Sequence, residues 1–192
     1  DVAPSRGLGD VYKRQAYDLS KRRSNLSILP PYDGKAFSSF VETIYNMHGY
    51  IEHCREEYVL ISQGNVITNI DYTDVFDFHS KKKADITLIY KNHAIPQGYD
   101  RPITLDVDND GKVNQIFVKP GVVDKGVFNH AYGSILIKKD LLMSEIRNAI
   151  SVNQLDVRRL IQSSLGKYSI YAYENKGYCA AVSYTHLTLP TT

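Results

Sequence analysis

The sequence is poor in several features, and each shortage excludes a class of protein. It holds two cysteines, Cys54 and Cys179. That is too few for a disulfide framework, so the expected compartment is a reducing cytoplasm. No apolar run approaches the ~20 residues of a membrane-spanning helix, and no signal-peptide pattern is visible. Charge is nearly balanced, with 23 Lys and Arg against 21 Asp and Glu, net +2. The basic excess that marks a nucleic-acid binder is missing. Internal repeats and low-complexity tracts are missing too. What is present is ordinary globular composition, 43% hydrophobic and 23% charged, over 192 residues, a length that suits one domain.

The two ends do not read as part of that domain. Ser5 to Gln15 resembles, codon for codon, the translation of a transposon-type library adapter, and Val182 to Thr192 resembles the reverse complement of its partner. Residues 1–15 and 182–192 are therefore expected to be adapter artefact and are set aside like any fusion scar. The genuine stretch is then 16–181, truncated at both ends.

The chain turns on the stretch from Glu57 to Tyr72. Tyr58 to Ile61 is an apolar run short enough for a buried strand. Ser62-Gln63-Gly64-Asn65 breaks it with turn residues. Asp71 to Lys83 then reads as a helix, acidic at its start and basic at its end, as the helix dipole favours. Asp85 to Tyr90 is β-branched and aromatic and reads as the next strand. Open α/β sheets bind ligands at the carboxyl ends of such strands. Gly64 and Asn65 are therefore the first candidates for a site.

Around this unit the pattern is mixed. Lys21-Arg22-Arg23 reads as solvated surface, and Pro30-Pro31 excludes helix there. From Ser38 to Cys54, Phe40, Val41, Ile44, Tyr45, Met47 and Ile51 recur at helical spacing, with Ser38 or Ser39 as N-cap. His48 and His53 within it have no metal-ligand partner set. Lys91 to Pro102 reads as a polar loop. Ile103 to Val118 reads as a hairpin turning at Asn109-Asp110-Gly111. Asp106, Asp108, Asp110 and Gly111 imitate the start of an EF-hand loop, but Phe117 stands where a bidentate Glu is required, so the hairpin is preferred. Val127 to Ile137 reads as a long strand containing Gly133, Asp140 to Ile150 as an amphipathic helix, and Leu155 to Leu165 as a shorter helix ending at Gly166. Tyr168 to Tyr173 reads as a strand, and Tyr178 begins another after the turn at Lys176-Gly177. The layout predicts a mixed α/β sheet with helices on both faces.

The run Tyr58-Val-Leu-Ile-Ser-Gln-Gly-Asn-Val-Ile-Thr-Asn-Ile-Asp-Tyr72 resembles the bacterial glucose-1-phosphate adenylyltransferase (ADP-glucose pyrophosphorylase) family. The resemblance continues through Asp74-Val-Phe-Asp-Phe-His79, Lys83-Ala-Asp-Ile-Thr87, Lys119-Pro120 and Lys176-Gly177-Tyr178, and within the family it is strongest to the GlgD-type subunit, usually regarded as non-catalytic. It implies a Rossmann-like nucleotidyltransferase domain, followed in the full protein by a left-handed β-helix. It also implies a role in glycogen biosynthesis, where ATP and glucose 1-phosphate give ADP-glucose and pyrophosphate. Mg²⁺ and ATP are the cofactors expected of catalytic relatives. A catalytic subunit is the expected partner, in a hetero-oligomer, with a sugar-phosphate ligand or effector possible and no nucleic acid or membrane.

The resemblance also shows departures. Catalytic relatives place a metal-binding Asp directly after the strand, where this chain has Asn65. Their Gly-Thr-Ala loop is Ser39-Phe40-Val41 here. Their Phe-Glu-Glu-Lys-Pro becomes Ile116-Phe117-Val118-Lys119-Pro120, which keeps the lysine and loses both acids. Their Ser-x-Gly near the sugar becomes Ala131-Tyr132-Gly133. A second metal-binding Asp would fall near Ala181. Gly64, Lys119 and Gly133 are thus the expected substrate-binding positions, and no catalytic or metal-binding residue is assigned. These losses favour a non-catalytic regulatory subunit. The alternative is an active sugar-phosphate nucleotidyltransferase with an altered metal site.

Overall fold

A computed structural model describes residues 39–94, 103–118 and 127–181. Lys119, Lys21-Arg22-Arg23, Pro30-Pro31 and the suspected adapter ends lie outside the described residues.

The first helical stretch is two helices, α1 (Phe40–Asn46) and α2 (His48–His53). Ser39 opens α1 with a capping box, accepting from the Glu42 amide while Glu42 returns a carboxylate to the Ser39 amide, which satisfies donors the first turn leaves free. The single helix expected over 38–54 is interrupted at Met47, whose backbone sits at φ −91, ψ 6 and bonds back to Thr43 and Ile44. Val41, Ile44 and Ile51 are buried in the core, and Phe40 and Met47 pack against it.

Strand β1 (Tyr58–Ile61) leads through the Ser62–Asn65 turn into a short strand, β2 (Val66–Thr68), and then helix α3 (Tyr72–Lys82). Asp71 caps α3 by accepting from the Thr73 amide. Strand β3 runs from Ile86 to Ala94, so the first residues of the expected loop, Lys91 to Ala94, belong to a ladder. Strands β4 (Ile103–Val107) and β5 (Val113–Val118) form the expected hairpin, with Gly111 at φ +85. Strand β6 (Val127–Lys138) precedes helices α4 (Lys139–Ser151) and α5 (Val157–Ser163). The chain then forms β7 (Ile170–Glu174) and β8 (Cys179–Ala181). Strand β7 begins two positions later than Tyr168, because the Ser169 amide turns to the Asp85 carboxylate.

The main sheet has the order β5-β4-β6-β3-β7, with β1 also paired to β6. Strand β6 is antiparallel to β1, β3 and β4, whereas β3 and β7 run parallel. Strands β1, β3 and β7 therefore point the same way, as in α/β nucleotide-binding sheets. Helices α1, α2, α4 and α5 bury one face around Val41, Leu88, Ile137, Ile146 and Ile170. Helix α3 covers the other face through Val75, against Ile89 and Leu136. This is a mixed α/β sheet flanked by helices on both faces, consistent with a nucleotidyltransferase domain.

Candidate functional site

The site is built where β1 ends against the middle of β6. Strand β6 pairs with β4 up to Ala131 and with β1 from Ile135 onward. Opposite β3, its register slips between Ile89 and Tyr90, which pair with Ser134 and Ala131, leaving Tyr132 and Gly133 as a bulge. Gly133 takes φ +75 there. A left-handed residue inside a strand both bends it and excludes a side chain.

The Ser62–Asn65 turn leaves β1 at this bulge. Ser62 Oγ and Ser134 Oγ lie 3.1 Å apart in a hydrogen bond. The Val66 amide donates to the Gln63 carbonyl at 3.3 Å and closes the turn. The Gln63 side chain lies across Gly133. A Cβ at position 133 would stand 2.4 Å from Gln63 Nε2 and 2.7 Å from its Cδ. Gly64 and Asn65 are exposed in the same turn, and a Cβ on Gly64 would meet nothing within 4 Å.

Asn65 runs directly into β2, which pairs antiparallel with β8, so that Val66 faces Ala181 and Thr68 faces Cys179. Position 65 and the end of β8, near which the second acid of catalytic relatives is expected, thus come to one place along the backbone. A tight crossing holds the ribbon closed. The Asn69 amide donates to the Tyr178 carbonyl at 2.8 Å, and a Cβ on Gly177 would fall 2.1 Å from the Asn69 carbonyl oxygen. Lys91 donates to the Gly177 carbonyl, and Asn175 Oδ1 accepts from the Gly177 amide at 2.9 Å. Burial pushes the Cys179 thiol pKa up, against the opposing pull of Lys91, which keeps it a thiol rather than a nucleophilic thiolate near neutrality.

The structure therefore sets Gln63, the neighbour of Gly64 and Asn65 in the turn, against Gly133. Phe40 starts α1 and packs against the core, and Phe117 is exposed on β5. The turn, β2 and the β6 bulge supply hydroxyls, amides and bare backbone, and residues 62–68 and 130–134 contain no carboxylate. Gln63 is the residue that sequence reasoning passed over. Its signal was Gly133, since a glycine interrupting an apolar strand marks a bulge or a close approach.

A second concavity, about 700 Å³, opens between α3, the β4–β5 turn and the end of β7, lined by Asp74, Phe78, Lys82, Asp110 and Asn175 among others. Asn175 is 3% exposed and its Nδ2 has no partner. Lys82 pairs with Asp110 across the rim.

No protein-family model matches the chain. Curated relatives share one description. The chain is 27% identical to a glucose-1-phosphate adenylyltransferase of Clostridium acetobutylicum over 172 residues, 84% of this chain and 44% of that protein. It is 27% identical to one of Bacillus subtilis over 177 residues, 85% of this chain and 44% of that protein. It is 36% identical to one of Clostridium perfringens over 90 residues, 45% of this chain and 22% of that protein. The chain spans less than half the length of these relatives.

Proposed function

We propose that the protein is a subunit of a glucose-1-phosphate adenylyltransferase serving ADP-glucose and glycogen synthesis in the cytoplasm, and that it is the non-catalytic, regulatory kind. The similarity to relatives of that name supports the scaffold. Asn65 carries the rest. Nucleotidyl transfer between ATP and a sugar phosphate is mainly positioning and charge neutralisation, and Mg²⁺ is held through carboxylate oxygens. An amide at position 65 brings no charge. Among the described residues, no group of three or more His, Cys, Asp or Glu could hold a metal ion. The donor set around the turn, which lacks a carboxylate, does not fit a divalent cation.

On this reading Gly64, Gly133 and Lys119 retain contact with a sugar phosphate, bound as an effector. The protein acts by pairing with a catalytic homologue, because subunit contacts shift a partner's conformational equilibrium. The second reading, an active enzyme with an altered metal site, is favoured by the activity in the relatives' names.

An assay of the complete gene product, alone and mixed with a catalytic homologue, separates the two. The protein alone is expected to make no ADP-glucose, and the mixture to show a changed kcat or effector response. Synthesis by the protein alone, at the homologue's rate, overturns the proposal. Asn65→Asp sharpens the result: a gain in Mg²⁺ affinity by calorimetry is expected of a scaffold that has lost its metal anchor.

A further inference from the structure

We propose that Gln63 is a built-in occupant of the seat over Gly133, so that this chain's own side chain sets its affinity for a sugar phosphate at the strand ends. The inference rests on the retained sugar-phosphate scaffold proposed above and adds the residue that controls it.

A glycine at φ +75 within a strand leaves its backbone bare, and bare backbone is where another group can approach most closely. At Gly133 that group is Gln63. Its Nε2, Cδ and Cγ lie 2.4, 2.7 and 3.0 Å from the point any other residue's Cβ would occupy. Three atoms in a row at these distances describe a side chain laid along the backbone, not one touching it at its tip. Its base is held on both sides. The Ser62–Ser134 hydroxyl bond at 3.1 Å precedes it, and its own carbonyl accepts from Val66 at 3.3 Å. The ladder pairing Ile61 with Ile135 fixes the approach.

The carboxamide brings to this seat donors and an acceptor, the same functions a sugar hydroxyl would bring. A ligand entering over Gly133 must first displace it, losing the contact and reordering the turn. A serine at 63 cannot reach across Gly133, and an asparagine reaches one methylene less far.

The test is a calorimetric titration of the full chain with glucose 1-phosphate, without ATP or Mg²⁺, for wild type, Q63S and Q63N. Q63S is expected to bind about tenfold more tightly than wild type, because wild type must break the Gln63 contacts over Gly133, with Q63N between them. In wild type, an NMR cross-peak between the Gln63 side-chain amide and Gly133 Hα is expected, fading as ligand is added. Equal affinity in all three proteins overturns the proposal, as does weaker binding by Q63S, which would make Gln63 a ligand contact. Should Q63S fail to fold, Q63N decides alone, and equality with wild type overturns it. Binding by none of the three removes the retained scaffold as well, whereas ADP-glucose synthesis in the separate assay overturns the regulatory reading and leaves this titration intact.

Discussion

The two faces of the sheet are built differently from the same strands. In β3, Ile86 and Leu88 point toward α1, α4 and α5, while Thr87 and Ile89 point toward α3. Alternation along a strand delivers that split. The first face closes over a continuous cluster of Ile, Leu, Val and Met. Among the described residues, the second buries a smaller apolar cluster, Val75, Ile89 and Leu136. It fills the remaining space with His79 bonded to Thr87 and with aromatic edges, Tyr58 on Phe76 and Phe78 on Tyr173. The larger share of hydrophobic stabilisation is therefore expected from the first face. The second carries titratable groups and adjoins the β2–β8 ribbon and the 700 Å³ cleft.

The largest effect that tests this contrast is truncation. Ile146 is fully buried on α4, and Ile146→Ala is expected to cost about 3–5 kcal/mol of unfolding free energy in urea titrations, the upper part of the range for such changes. Leu136→Ala, in the smaller cluster under α3, is expected to cost about 2 kcal/mol. Equal losses would show that the two faces contribute alike.

Next comes the crossing that closes the ribbon. In Gly177→Ala the new methyl would lie 2.1 Å from the Asn69 carbonyl oxygen, a backbone atom that cannot swing aside. Separating β2 from β8 is expected to cost about 1–3 kcal/mol, as for other overpacked sites, and to speed hydrogen exchange at the Asn69 amide. Unchanged exchange there would mean the ribbon does not depend on Gly177.

These two cases mark what was legible in the sequence. Helix α3 was legible almost to the residue, because Asp71 caps it and Lys83 ends it, both local signals. The β4–β5 hairpin was legible from Asn109-Asp110-Gly111 for the same reason. Of the β2–β8 ribbon only β8, expected from Tyr178, was legible: β2 has three residues and no periodicity, and the pairing joins segments far apart in sequence. The split at Met47 was hidden by an apolar pattern that fits a continuous helix. For the site, Gly64, Asn65 and Gly133 stood out by residue type. Gln63 did not, because its role depends on a bulge set by pairing between distant strands.

A third, smaller effect follows from His79. It is 1% exposed, its Nδ1 lies 2.8 Å from Thr87 Oγ1, and its Nε2 has no partner. Burial holds its pKa below the ordinary 6.5, Lys138 pushes the same way, and Asp85 opposes them. The unfolded chain thus binds a proton that the folded chain refuses. Stability contributed by neutral His79 is present above about 6.5 and is lost as pH falls through that value toward the folded pKa. Urea titrations between pH 7 and pH 5 are expected to show this decline, and His79→Gln to flatten it.

The smallest effect compares the helix ends on the two faces. Helices α3 and α4 close with the same arrangement. The Ala84 amide bonds to the His79 carbonyl and Lys83 to Ser80; likewise Gln154 bonds to Ala149 and Asn153 to Ile150. This is a Schellman closure, which needs one left-handed residue. Lys83 supplies it at φ 50 and Asn153 at φ 53. For lysine that conformation costs about 1–2 kcal/mol, whereas asparagine tolerates it by local hydrogen bonding. Replacing either by glycine relieves strain but frees the unfolded chain, a loss of about 0.4–1 kcal/mol. Lys83→Gly is therefore expected to stabilise by about 0.5–1 kcal/mol, and Asn153→Gly to be near neutral, read as a difference in urea midpoint at constant slope. Equal gains at both ends would mean that the shared geometry, not the residue occupying it, sets the strain.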